Sequence, residues 1–305
     1  MRKLDLRDPI VWWHHRSGWK YVVEVMAQRL HDPNGILCHT YADWLLAAEI
    51  SLERPWVGFL HGTVTAPPEL SIQYQRVWSL EEFLADDRWA RVARNCRVLF
   101  TLSSHTRRYL ESRVHCPVDN LLHPTDLGAS VFTPERFECN TDRKVVLIGH
   151  WLRRWQDIYD LPVTRLRKVL LRGADCDYLK LEHAFKLRIN PSVHTLPRLS
   201  DSQYDQLLSE NIVFLPLYDA AAVNTLVECI VRNTPVLLNR LESHRDYLPD
   251  DYPFYYDSLE EAAEKVEDPQ ALLRAYECLR DIPKQEFHID RFIDQLTSSP
   301  LYQSL

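Results

Sequence analysis

The chain has 305 residues, 46% of them hydrophobic and 26% charged, with a net charge of −7. That length accommodates two domains of ordinary size, and the composition excludes a disordered or fibrous chain. The acidic balance argues against a nucleic-acid partner, although basic residues gather at Arg153, Arg154, Arg165, Arg167 and Lys168.

Seven cysteines are scattered at positions 38, 96, 116, 139, 176, 229 and 278, with no CxxC spacing. Disulfide-scaffold and metal readings are therefore weak, and a reducing, cytoplasmic setting is expected. The opening residues MRKLDLRDPIVWWHHR do not read as a signal peptide. No window offers about 20 uninterrupted apolar residues, so no transmembrane helix is expected. With only seven glycines and neither GxGxxG nor GxxxxGK[ST], a glycine-rich phosphate loop is hard to build. HExxH and GxSxG are absent as well.

Taken in chain order, apolar runs at 10–13, 35–38, 56–60, 98–102, 145–149, 169–171, 212–217 and 235–238 read as buried strands. They do not alternate, as suits parallel strands covered on both faces. Helical spacing of Trp19, Val22, Val23, Met26 and Leu30 predicts a helix after Ser17 as its cap. Ser200 with Gln203, and Ser258 with Glu261, match capping boxes at later helix starts. Strand–helix alternation throughout predicts an α/β protein of two doubly wound, Rossmann-like domains facing a cleft. The aperiodic stretch HPTDLGASVFTPERFECNTD separates them. The expected division is 1–123, a linker at 124–142, a second domain at 143–285, and a helical tail at 286–305, where Ile289, Phe292, Ile293 and Leu296 keep helical spacing.

Ligands of such sheets bind beyond the carboxyl ends of the strands. The stretch IVFLPLYDAAAVNTLVECIVRNTPVLLN, residues 212–239, is a strand, a loop, a short helix from about Thr225, and another strand. The helix start, with Asn224, Thr225 and Leu226, offers free amides and the positive end of a dipole to a diphosphate. Glu228, one turn in, is placed to accept hydrogen bonds from ribose hydroxyls. Thr225-x-x-Glu228 also reads as a capping box, and both readings stand.

This segment resembles the donor-binding segment of retaining GT-B glycosyltransferases of the family 4 type. Their pattern is Glu, seven residues, Glu, a helix and a GTPV strand entry. Here the second acid matches Glu228 and the strand entry matches Asn233-Thr234-Pro235-Val236, while the first acid falls on Ala220. The resemblance implies that Asp219, one residue earlier, substitutes as the contact to the donor sugar, with Asn224 assisting. Family members open the second domain with a strand, a Gly and basic residues that neutralise the departing diphosphate. Gly149, Arg153 and Arg154 match those positions, and each arginine reads equally as part of a solvated basic face. The backbone around Leu196–Arg198 would meet the nucleobase. In WVGFLHG, His61 matches a histidine that contacts the sugar near the reacting carbon, or is a core histidine. The loop His14, His15, Arg16, Ser17, Gly18 matches the one facing donor phosphate and acceptor, with Gly18 allowing close approach.

The implied function is a hexosyltransferase-like transfer from a UDP- or GDP-linked sugar, serving as substrate rather than cofactor. The implied acceptor is a glycan, lipid-linked or small-molecule hydroxyl, with retention, no metal, and peripheral contact with a membrane surface. A catalytically inactive GT-B-like binding or scaffold protein is the alternative, supported by Ala220. A sugar-nucleotide epimerase ranks last, for want of paired carboxylates.

Overall fold

The computed structural model describes residues 3–6, 18–45, 53–70, 79–172 and 178–305. The expected strand at 10–13, the cap at Ser17 and the loop residues His14, His15 and Arg16 lie outside them.

The first sheet is wholly parallel, in the order β1 (Leu4–Asp5), β2 (Ile36–His39), β3 (Trp56–Leu60), β4 (Cys96–Thr101), β5 (Val118–Asn120). Its two faces are read off β3 and β4. Val57, Phe59, Val98 and Phe100 meet one apolar layer, and Trp56, Leu60 and Leu99 meet another. The first layer is closed by α1 (Trp19–Leu30), which buries every residue of its expected stripe. Gly18 is its N-cap, without a side-chain cap. The opposite face is covered by α2 (Leu80–Ala85), α3 (Asp87–Ala93) and α4 (Ser104–Glu111). A sheet covered on both faces needs apolar residues at every position, which is why these strands do not alternate.

After α5 (Pro134–Cys139) the second sheet begins, again all parallel, in the order β11-β10-β9-β6-β7-β8. Its elements are β6 (Lys144–Ile148), α6 (Gln156–Asp160), β7 (Arg167–Leu171), α7 (Tyr178–Ala184), β8 (His194–Leu196), α8 (Asp201–Glu210), β9 (Ile212–Leu215), α9 (Asn224–Arg232), β10 (Val236–Asn239) and β11 (Tyr255–Tyr256). The chain runs outward from β6 to β8 and returns to the other side of β6 at β9. That reversal is the topological switch point of a doubly wound sheet, where a crevice opens above the strand ends. Then α10 (Leu259–Glu267) and α11 (Pro269–Asp281) pack on the second core. Both expected caps form: Ser200 and Gln203 as a full capping box, and Ser258 accepting from the Glu261 amide.

Last come α12 (Ile289–Ser298) and α13 (Pro300–Gln303). Ile289, Phe292, Ile293 and Leu296 belong to the first sheet's core, against α1. Among the described residues the backbone passes from one core to the other at two places, and the segment before residue 71 also leans across, placing Leu70 in the second core. Leu121 lies in the first core and Leu122 against the second, while Phe287 lies in the second and Ile289 in the first. The two crossings touch, since the Thr125 amide donates to the Phe287 carbonyl at 2.9 Å. No helix among the described residues is long and apolar enough to cross a membrane.

Candidate functional site

The loops that leave β6 and β9 on either side of the switch point are bound to each other. The Arg154 amide donates to Pro216 O at 2.8 Å, the Tyr218 amide to Leu152 O at 3.0 Å, and Arg153 bridges Leu217. The Asn239 side chain, at the end of β10, clamps both sides of Leu217 at 2.8 and 3.0 Å. Three strand ends thus form one floor.

Gly149 and Leu152 shape the β6 loop, both left-handed with φ of +85° and +56°. For a leucine that conformation costs roughly 1–2 kcal/mol. The resulting turn folds Arg153 back, so that Nε donates to Ile148 O at 2.7 Å and Nη1 to Trp151 O at 3.0 Å. Its guanidinium is buried, and burial lowers its pKa to about 10, so it remains a cation at neutral pH. A methyl group on Gly149 would meet Arg153 Nη2 at 3.0 Å. His150 and His244 lie in the field of Arg153, and burial lowers both to about 4. Arg154 turns outward: its side chain is 40% exposed and pairs with Asp157 at 3.2 Å. The two adjacent arginines are thus separated into one buried and one solvated cation.

On the β9 side, α9 starts at Asn224 with Val223 as N-cap and no side-chain cap. The Asn224 and Thr225 amides find no acceptor among the described residues. Asn224 is exposed, Thr225 and Leu226 buried. The capping-box reading of Thr225 and Glu228 is overturned, because Thr225 sits inside the helix. Glu228, 2% exposed, instead accepts from the Tyr204 hydroxyl of α8 at 2.7 Å. Burial, with that carboxylate, pushes the Tyr204 phenol well above its ordinary pKa, so the hydroxyl stays protonated and donates. Beneath them Arg232 pairs with Asp205 at 3.1 Å, both buried, and donates to Glu228 O at 3.3 Å. Tyr204 was legible only as an apolar helix position, and no local spacing signals a partner 24 residues away.

Leu196 ends β8, half-buried against the second core, and Arg198 beyond it is exposed. This edge lies two strand spacings from β6, about 10 Å.

From the first sheet, His61 follows β3. Its Nε2 lies 3.1 Å from Thr40 O, so that nitrogen carries the proton. Its ring stacks on Tyr41 at 4.1 Å and meets the edge of Trp19 at 4.5 Å. Burial lowers its pKa to about 3, with His123 adding to the shift, so the imidazole is neutral. The His61 and Gly62 amides donate to the Asp43 carboxylate at 2.7 and 2.8 Å. Gly18 is buried, with φ of −81°. Asp219 is engaged between the sheets: it accepts from the Thr65 amide at 3.0 Å, the Thr65 hydroxyl at 3.3 Å and its own neighbour Ala220 at 2.7 Å. Ala220 is 3% exposed. His123, which the sequence did not mark, is buried where the chain first crosses, beside the Trp19 ring at 5.6 Å.

No protein-family model and no curated protein matches the chain by sequence. Solved structures do resemble it. HepE from Anabaena, in complex with UDP-glucose, superposes with a TM-score of 0.65 at 16% identity, over 94% of this chain and 82% of that one. Sucrose-phosphate synthase from Thermosynechococcus elongatus gives 0.61 at 15% identity, over 99% and 87%. A glycosyltransferase from Rickettsia africae gives 0.56 at 11% identity, over 94% and 80%. The chain has the two-sheet GT-B fold of these glycosyltransferases.

Proposed function

We propose that the chain transfers a glycosyl group from a nucleotide diphosphate sugar to a hydroxyl acceptor. The observation that carries this reading is the pair of acceptor-free amides at the start of α9, the helix reached from the β9 loop that is bound to the Arg153 loop. A departing diphosphate gathers negative charge, and fixed cations and helix dipoles stabilise it. Glu228, oriented by Tyr204, would accept from ribose hydroxyls, and the base would lie toward Leu196 and Arg198 at β8. The likeness to a chain solved with UDP-glucose supports a uridine donor.

In this reading transfer proceeds with retention and without a metal, the diphosphate oxygen taking the acceptor's proton. His61 is neutral and serves by contact with the sugar, not by proton donation. Asp219 is the remaining candidate for sugar contact. Arg154, Asn224, Thr225 and Leu226 complete the donor site, and Gly149 shapes its floor. Calorimetric titration with UDP, GDP and their glucose conjugates tests the donor site. Failure of all four to bind would overturn the proposal. NMR of the product's anomeric centre tests retention, since a β-linkage from an α-donor excludes it.

One observation favours a second reading, a binding protein without transfer. The acidic position of the family pattern is a buried alanine, and Asp219 is occupied by Thr65. Nucleotide binding without turnover, across a panel of sugar and lipid-linked acceptors, would select it.

A further inference from the structure

Far from the cleft, two cysteines meet at the edge of the first sheet. Cys96 opens β4, and Cys116 stands two residues before Val118 in the neighbouring β5. Leu99 lies opposite Val118, with the Leu99 amide donating to Pro117 O at 3.0 Å, so Cys96 and Cys116 stand at the same end of the strand pair, one residue out of step. Cys96, Leu99 and Val118 belong to one buried cluster, and Cys116 packs against it, so the sulfurs share a face. Adjacent strands lie about 4.8 Å apart and one residue of offset adds about 3.3 Å along the strand, a diagonal Cα separation of about 5.8 Å that a disulfide accepts.

Their surroundings differ. Cys96 is 8% exposed, and its thiol is 3.7 Å from Val98 O. Cys116 is half-buried and lines a cavity of about 390 Å³ between α4, β5 and α13, beside Arg107, Asp119 and Leu301. A small oxidant entering that cavity meets Cys116 first. Contact with Cys96 holds the Cys116 thiol below the ordinary range, while that contact and burial hold Cys96 above it. Thiolate is the nucleophilic form, so exposure and acidity select the same sulfur.

We propose that Cys96 and Cys116 form a peroxide-responsive dithiol, with Cys116 the attacking and Cys96 the resolving thiol. The Cys116 thiolate attacks one oxygen of hydrogen peroxide and the O–O bond breaks. The hydroxide released takes up the proton that Cys116 lost and leaves as water. Cys116 is now a sulfenic acid. The Cys96 sulfur then displaces its hydroxide, which leaves as a second water with the Cys96 proton. Two thiols and one peroxide become one disulfide and two waters.

The test uses the full chain, reduced, freed of reductant and treated with hydrogen peroxide. Non-reducing peptide mapping by mass spectrometry is expected to recover a Cys96–Cys116 linked peptide, with the thiols restored by dithiothreitol. In Cys96→Ser, a dimedone adduct should accumulate on Cys116. In Cys116→Ser, Cys96 should stay unmodified at the same dose. The proposal is overturned if both thiols of the native chain stay free at a dose that oxidises glutathione. It is overturned equally if Cys116 is oxidised and no linked peptide forms. The native-chain result stands whether or not the variants fold.

Discussion

The Asp246 carboxylate, from the turn after β10, sits on the first turn of α4, 2.5 Å from the Ser104 amide and 2.6 Å from its hydroxyl. An acid from the second domain thus satisfies a helix N-terminus of the first. The neighbouring Tyr247 adds two bonds across the same boundary: it donates to Leu102 O at 2.7 Å and accepts from the His123 amide at 3.1 Å. Hydrogen bonds to a charged group contribute about 1.5–3 kcal/mol each. Asp246→Ala should loosen the contact between domains. Small-angle scattering should show a larger radius of gyration than the native chain, and an unchanged profile would refute the role.

Tyr204→Phe removes the donor that orients Glu228 and leaves a buried carboxylate short of a partner. Stability should fall by about 1–3 kcal/mol. UDP affinity should fall about tenfold, the equivalent of 1.4 kcal/mol. Calorimetry distinguishes this from a purely structural effect, because a Phe variant that folds and binds UDP normally would remove Glu228 from the site.

Gly149→Ala combines a left-handed backbone with a methyl group 3.0 Å from the Arg153 guanidinium. It should cost about 1–3 kcal/mol, measured as a shift of the urea midpoint. It should also displace Arg153 and weaken nucleotide binding. Arg153→Ala should weaken binding more than Arg154→Ala, since only the latter side chain is solvated and paired outward. Equal losses would contradict the division between them.

Acid should destabilise the fold well above the ordinary carboxylate range. Burial holds His39, His123, His150 and His244 at about 4 and His61 at about 3. Their unfolded pKa is about 6.5, so below that pH the unfolded chain binds protons that the folded chain refuses. Stability therefore falls as pH drops from about 6.5 toward 4, by about 1.4 kcal/mol per unit for each such proton. Asp43 and Asp157 act in the opposite sense. Burial raises both to about 6, so over pH 6 to 4 the folded chain takes up their protons first. Five groups against two leave a net loss. Urea midpoints at pH 7, 6 and 5 should decline in that order, and a flat series would refute it.

The strands that could be read in the sequence are the apolar runs that form β2, β3, β4, β6, β7, β9 and β10, because burial on both faces favours apolar residues along the run. The edge strands β1 and β11, two residues each, were illegible, since so short a run has no period. The start of α9 was readable from its neighbours. What holds Glu228 was not, because the Tyr204 hydroxyl comes from another helix and the local spacing pointed to a cap that does not form. Arg153 and Arg154 were indistinguishable in sequence. Two left-handed residues just ahead of them decide which is buried, and φ is not written in residue type when one of them is Leu152. The bonds of Asp219 to Thr65 and of Asp246 to Ser104 span 154 and 142 residues, beyond any pattern a single sequence carries.

The double passage of the backbone between cores, at Leu121–Leu122 and again around His288, has a mechanical consequence. Two adjacent tethers, joined by the Thr125–Phe287 hydrogen bond, resist the swivelling that a single thread would allow and favour a jaw-like opening about the line through both.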